Sequence, residues 1–106
     1  MSVKKVYLSG PITGIETKSV HIFSAAEQFL TQQGFDVINP WRLNHDHRKR
    51  WEDYMAVDIL ALLECDAVYM LPGWETSRGA RLEYAIACAR DMDIYFWTHN
   101  TIRAQA

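Results

Sequence analysis

The stretch DAVYMLPGWETSRGARLEYAIACAR, residues 66–90, decides the fold. It opens on the most strand-like run in the chain, turns at Pro72 and Gly73, and continues as an amphipathic helix over about 77–91. One carboxylate, Glu83, falls in the second turn of that helix, four residues after Gly79 and six after Ser77. Helical side chains lean toward the N-terminus, so Glu83 points back over Gly79, whose missing side chain leaves an open shelf. Ser77 or Thr76 supplies the N-cap. The free N–H groups of the first turn, the helix dipole and Arg78 together favour an anion. A carboxylate, a shelf and an anion site in a row fit a sugar bearing a 5′-phosphate. The same spacing also suits a Glu83 paired with Arg81, Arg90 or a lysine on a wet face.

Strand and helix alternate on either side of this stretch. KKVYLSG (4–10) is a short apolar strand, followed by the turn-rich PITGI. Residues 17–33 carry Ile22, Phe23, Ala26, Phe29 and Leu30 at three-and-four spacing, and Gly34 stands where that helix should stop. FDVINP (35–40) reads as a second strand, WRLNHDHRKR (41–50) as a loop, Trp51 to Glu64 as a helix and DIYFWT (93–98) as a last strand. The alternation predicts an α/β fold: a doubly wound, Rossmann-like (flavodoxin-like) parallel sheet of four to five strands with helices on both faces, one domain over residues 1–106. Right-handed crossovers, with the first two helices on opposite faces, give the order 2-1-3-4. Ligands of such sheets bind beyond the carboxyl ends of the strands at the switch point, here between the first and third strands. The loops SGPITG (9–14) and PGWETSRGA (72–80) meet there, rich in glycine and small hydroxyl residues that let backbone N–H groups approach a ligand.

Composition narrows the class. With 106 residues, a hydrophobic fraction of 49% and a charged fraction of 23%, the chain suits a soluble globular domain with one core. A net charge of −2, with basic residues scattered apart from HRKR at 47–50, argues against a nucleic-acid duplex as partner. The sequence has no signal peptide, CxxC motif or apolar run long enough to span a membrane. Cys65 and Cys88 lie among apolar neighbours and read as buried free thiols, so a cytoplasmic location is expected.

Asp58 falls between Trp51, Tyr54, Met55 and Leu62 on the apolar stripe of the second helix. An inward carboxylate is costly unless it is paired or put to use. It is either hydrogen-bonded to a loop or a second functional carboxylate with a raised pKa. Tyr7, in the first strand, is either a core tyrosine or the orienter of a catalytic carboxylate. HDH at 45–47 has no evident third ligand, so no metal is expected. Trp41 and Trp74 lie on loops near the switch point, where a flat ring can stack a nucleobase.

YLSGPITG, the Asp at the middle of the second helix, CDAVYMLPGW and SRGARLEYAIA together resemble the nucleoside 2-deoxyribosyltransferase-like superfamily, over about residues 5–97. The closest branch is one of small phage and bacterial proteins related to 2′-deoxynucleoside 5′-monophosphate N-glycosidases. The resemblance implies cleavage or exchange of an N-glycosidic bond without cofactor, in a homodimer. It makes Glu83 the nucleophile of an S/D-x-G-x-x-x-E motif, Asp58 the residue that contacts the sugar or assists proton transfer, and Tyr7 the orienter of Glu83. Ser9, Gly10, Pro11, Ile12, Thr13 and Gly14 then line the sugar and phosphate, with Trp74, Ser77, Arg78 and Gly79 opposite. Serine at 77, where base-exchanging members tend to carry an acid, leans toward a nucleoside 5′-monophosphate over a nucleoside. The reading is a hydrolase giving free base and 5-phosphosugar. The alternatives are a base-exchanging deoxyribosyltransferase and a nucleotide-binding module without turnover.

Overall fold

The computed structural model describes residues 4–45, 49–98 and 101–104. The chain runs β1 (Lys5–Ser9), α1 (Glu16–Gln32), β2 (Asp36–Ile38), α2 (Trp51–Leu63), β3 (Ala67–Met70), α3 (Arg78–Ala89), β4 (Asp93–Thr98) and β5 (Thr101–Ala104), with short 3-10 turns at Pro40–Arg42 and Trp74–Thr76. The sheet order is β2-β1-β3-β4-β5. Its first four strands are parallel, in the expected order. β5 returns antiparallel to β4, a hairpin partner that the tail of the sequence did not announce.

The period of two along β1 divides the molecule. Val6 and Leu8 face α1, where they meet Phe23, Ala26, Leu30, Ala67, Tyr69 and Leu71. Tyr7 and the following odd position, Ser9, face the side covered by α2 and α3, where Leu62, Val68, Met70, Ala80, Ala87 and Ile94 close a second core. The sheet is therefore buried on both faces, as a parallel sheet must be. Fully burying each large apolar side chain contributes about 1.5–3 kcal/mol.

The helix ends follow local chemistry. Gly34, at φ +94°, ends α1 in a Schellman turn: its N–H reaches the Thr31 carbonyl at 3.0 Å and that of Phe35 reaches Leu30 at 3.1 Å. α3 ends the same way with Asp91 at φ 56°, its N–H on Cys88 at 3.2 Å and that of Met92 on Ala87 at 3.0 Å. At the start of α2 the Asp53 carboxylate accepts the Arg50 N–H at 3.1 Å. Among the described residues no helix is long and apolar enough to cross a membrane. Of the two cysteines only Cys65 is buried, with its thiol pushed up to about 11 by burial; Cys88 is exposed, against the expectation that both would be inside. Cys88 sits on the turn of α3 that points away from the sheet, one residue past the buried Ala87.

One buried polar atom stands out. The Tyr69 hydroxyl is fully enclosed with no hydrogen-bond partner among the described residues. An unmet buried hydroxyl costs about 1–3 kcal/mol, so Tyr69→Phe should hold or raise stability, by up to about 2 kcal/mol, in urea unfolding at neutral pH.

Candidate active site

The site is built at the carboxyl ends of β1 and β3. Two residues of one strand face share a side and lie about 7 Å apart. Tyr7 and Ser9 use that spacing to take one carboxylate between them. The Tyr7 hydroxyl donates to Glu83 Oε2 at 2.6 Å and the Ser9 hydroxyl donates to Oε1 at 2.6 Å. All three are buried: 0%, 1% and 5% exposed. Glu83 is therefore not a wet-face partner of Arg81 or Arg90, and the Arg90 guanidinium bonds the Cys65 carbonyl instead, at 3.3 Å. Burial pushes the Glu83 carboxyl up to about 7; the Ser9 and Tyr7 hydroxyls act against that rise, and the charge of Asp58 adds to it. Tyr7 is raised as well, by its burial and then by the charge of Glu83.

Asp58 is the second buried carboxylate, at 7% exposure, and its partner is His45, whose Nε2 lies 2.7 Å from Oδ1. Burial raises the Asp58 carboxyl, and the His45 bond lowers it. His45 in turn stacks on Tyr54, ring centroids 5.3 Å apart at 24°. A chain of contacts fixes the segment that carries this histidine. Glu27 accepts from Asn39 at 3.0 Å and from the Arg42 Nε at 2.8 Å, while the Trp41 indole N–H donates to Ser19 at 3.2 Å.

His45 is the residue that sequence reasoning missed. Within HDH it reads only as a candidate metal ligand, although an inward Asp58 already requires a partner. The other two residues of that triplet lie outside the described residues, and among the described residues no group of three or more potential ligands could hold a metal.

The loops around the site lock into each other. A Cβ on Gly10 would fall 2.8 Å from Leu71 Cβ, and one on Gly73, at φ +84°, would fall 3.2 Å from Pro11. These glycines let the loops after β1 and β3 touch backbone to side chain. Ile12 packs against the α1-side core, while Thr13 and Gly14 are exposed, the latter donating its N–H to Glu16 at 3.0 Å. Ser77 caps α3, accepting the Ala80 N–H at 3.2 Å.

One expectation is corrected. The shelf above Gly79 is filled: a Cβ there would meet the Met55 sulfur at 3.1 Å, so this glycine makes room for α2 and not for open space. Apolar side chains of neighbouring elements fill space that a single helix seen alone leaves empty. The partly buried ring of Trp74 packs on Tyr84 at 4.7 Å and Phe96 at 5.9 Å between centroids.

The family described as "Domain of unknown function (DUF4406)" matches residues 4–96. The chain belongs to that family. No curated protein matches it. Among solved structures it is similar to the Clostridium botulinum CMP N-glycosidase BcmB, with 22% identity and a TM-score of 0.61, over 88% of this chain and 67% of that one. At that identity the two share a fold, the one the sequence resemblance implied.

A buried carboxyl raised from 4.5 to about 7 binds a proton that the unfolded chain has already lost in that interval. The stability it contributes is complete below about pH 4.5 and is lost as pH rises through about 7, a span of ~3 kcal/mol. Glu83→Gln should remove this fall, so urea midpoints of native protein and variant, compared at pH 5 and pH 8, should diverge in favour of the variant at the higher pH.

Proposed function

We propose that the protein hydrolyses the N-glycosidic bond of a (2′-deoxy)nucleoside 5′-monophosphate, releasing free base and a 5-phosphosugar. The observation that carries this reading is the clamp on Glu83, a water-poor carboxylate with each oxygen held by one hydroxyl donor. Such an arrangement aims a nucleophile and leaves one lone-pair direction of each oxygen free. The similarity in fold to a CMP N-glycosidase supports the same class of bond.

In this mechanism a Glu83 oxygen bonds to the anomeric carbon as the carbon–nitrogen bond breaks, and that electron pair leaves with the base. Asp58 and His45, sharing one hydrogen bond, stand as the proton source for the departing nitrogen. Water then attacks the same carbon, restores the Glu83 carboxylate and gives its proton back to the Asp58–His45 pair. The phosphate lies at the N-terminus of α3, on the backbone N–H groups of Arg78 and Gly79 with the Ser77 hydroxyl and the Arg78 guanidinium. Ser9 thereby moves from a sugar contact to a support of the nucleophile.

The reading includes a homodimer through α2. Leu60 and Leu63 stand one turn apart on its outer side, 67% and 37% exposed, an apolar strip that a second copy would cover.

Incubation with a panel of nucleoside and deoxynucleoside 5′-monophosphates should release one free base, detected by chromatography. Glu83→Gln should lower turnover by roughly three orders of magnitude or more, and Asp58→Asn or His45→Ala by roughly a hundredfold or more. With Glu83 raised to about 7, kcat/KM should climb with pH up to about that value. Transfer of the sugar to an added second base would make the protein a transferase, and binding without release would make it a nucleotide receptor.

A further inference from the structure

The first residue of α2 and the first residue of α3 meet above the site. The guanidinium carbon of Arg78 lies 3.6 Å from the centre of the Trp51 ring, a face-on stack. Arg78 is exposed, and its guanidinium forms no ion pair or hydrogen bond among the described residues. Its place is electrostatically the wrong one for a cation. It opens a helix whose N-terminal end carries positive partial charge, and that first turn holds no acidic residue. Helix starts favour Asp or Glu, so a lone arginine there is repelled unless something holds it.

Trp51 is what holds it. A guanidinium stacked over a ring keeps its N–H donors in its own plane, parallel to the ring and free for a bidentate acceptor. The backbone N–H groups of Arg78 and Gly79 beside it also find no acceptor among the described residues, the Ser77 cap being used on Ala80. A dianion at this point would turn a repulsive arrangement into an attractive one. A neutral hydroxyl would leave the repulsion in place.

We propose that Trp51 is a positioning residue that pins Arg78 across the α3 N-terminus, and that this stack makes the site select phosphorylated over unphosphorylated ligands. The inference rests on the reading of the site given under Proposed function. There Arg78 was one phosphate contact among several; here the selection is assigned to a side chain on another helix that does not itself touch the substrate.

The test compares native protein, Trp51→Ala, Trp51→Phe and Arg78→Gln. Calorimetry measures binding of ribose 5-phosphate and ribose, and steady-state kinetics measures the monophosphate the panel identifies against its nucleoside. Trp51→Ala should lower the preference for the phosphorylated ligand by about tenfold, raising KM far more than it changes kcat. Trp51→Phe, which keeps an aromatic face, should recover most of it, and Arg78→Gln should lose at least as much as Trp51→Ala. Equal weakening toward phosphorylated and unphosphorylated ligands, no change, or a native protein with no preference for the phosphate would each overturn the inference. The two readings fail separately: base release without phosphate preference leaves the hydrolase standing and removes the role of Trp51. Phosphate-selective binding lost in Trp51→Ala, with no base released from any nucleotide, keeps that role and removes the hydrolase.

Discussion

The two hydroxyls on Glu83 are the constraint around which the rest of the molecule is arranged. A carboxylate taken out of water costs several kcal/mol unless its oxygens are met. Tyr7 and Ser9 meet them only because they share one face of β1, and because α3 crosses that face with Glu83 turned inward. A shift of β1 by a single residue would send Tyr7 and Ser9 to the α1 side and leave Glu83 buried without donors. The register of the parallel pairs Tyr7 with Val68 and Ser9 with Met70, and so belongs to the site as much as to the fold.

The two buried carboxylates are supported in different ways. Glu83 is held by hydroxyls of a strand, which are fixed by the sheet and do not titrate near neutrality. Asp58 is held by an imidazole from a loop, tied back to α1 through Glu27, Asn39, Arg42 and Trp41. One carboxylate thus rests on fixed strand hydroxyls and the other on the ring nitrogen of a loop side chain. The proposed roles of nucleophile and proton donor need that division.

Much of the fold was legible because hydrophobic periods and glycine stops are local signals. Ile22 to Leu30 and Gly34 marked α1, and DAVYML marked β3. The burial of Asp58 was legible from its place on the apolar stripe, and the contact of Tyr7 with Glu83 from the resemblance. What escaped depends on contacts between distant segments. Ser9 looked like a loop residue facing ligand, yet its strand parity with Tyr7 turns it to Glu83. Gly79 seemed to clear space over Glu83, and Met55, twenty-four residues earlier, takes that space. His45 carried no periodic signal, since a loop residue reveals its partner only once the helix beside it is packed. β5 is four residues long, too few to show an alternation.

The strand order has a consequence at the borders of the sheet. One outer strand, β2, is three residues long, and the other, β5, is four residues long and runs against its neighbour. Unpaired backbone along a sheet border is a template on which foreign chains can add. Here β1, β3 and β4 keep their ladders inside, and neither rim is more than four residues long. A foreign strand adding at either rim would find a ladder of only three or four residues to copy, so brevity limits growth by edge addition.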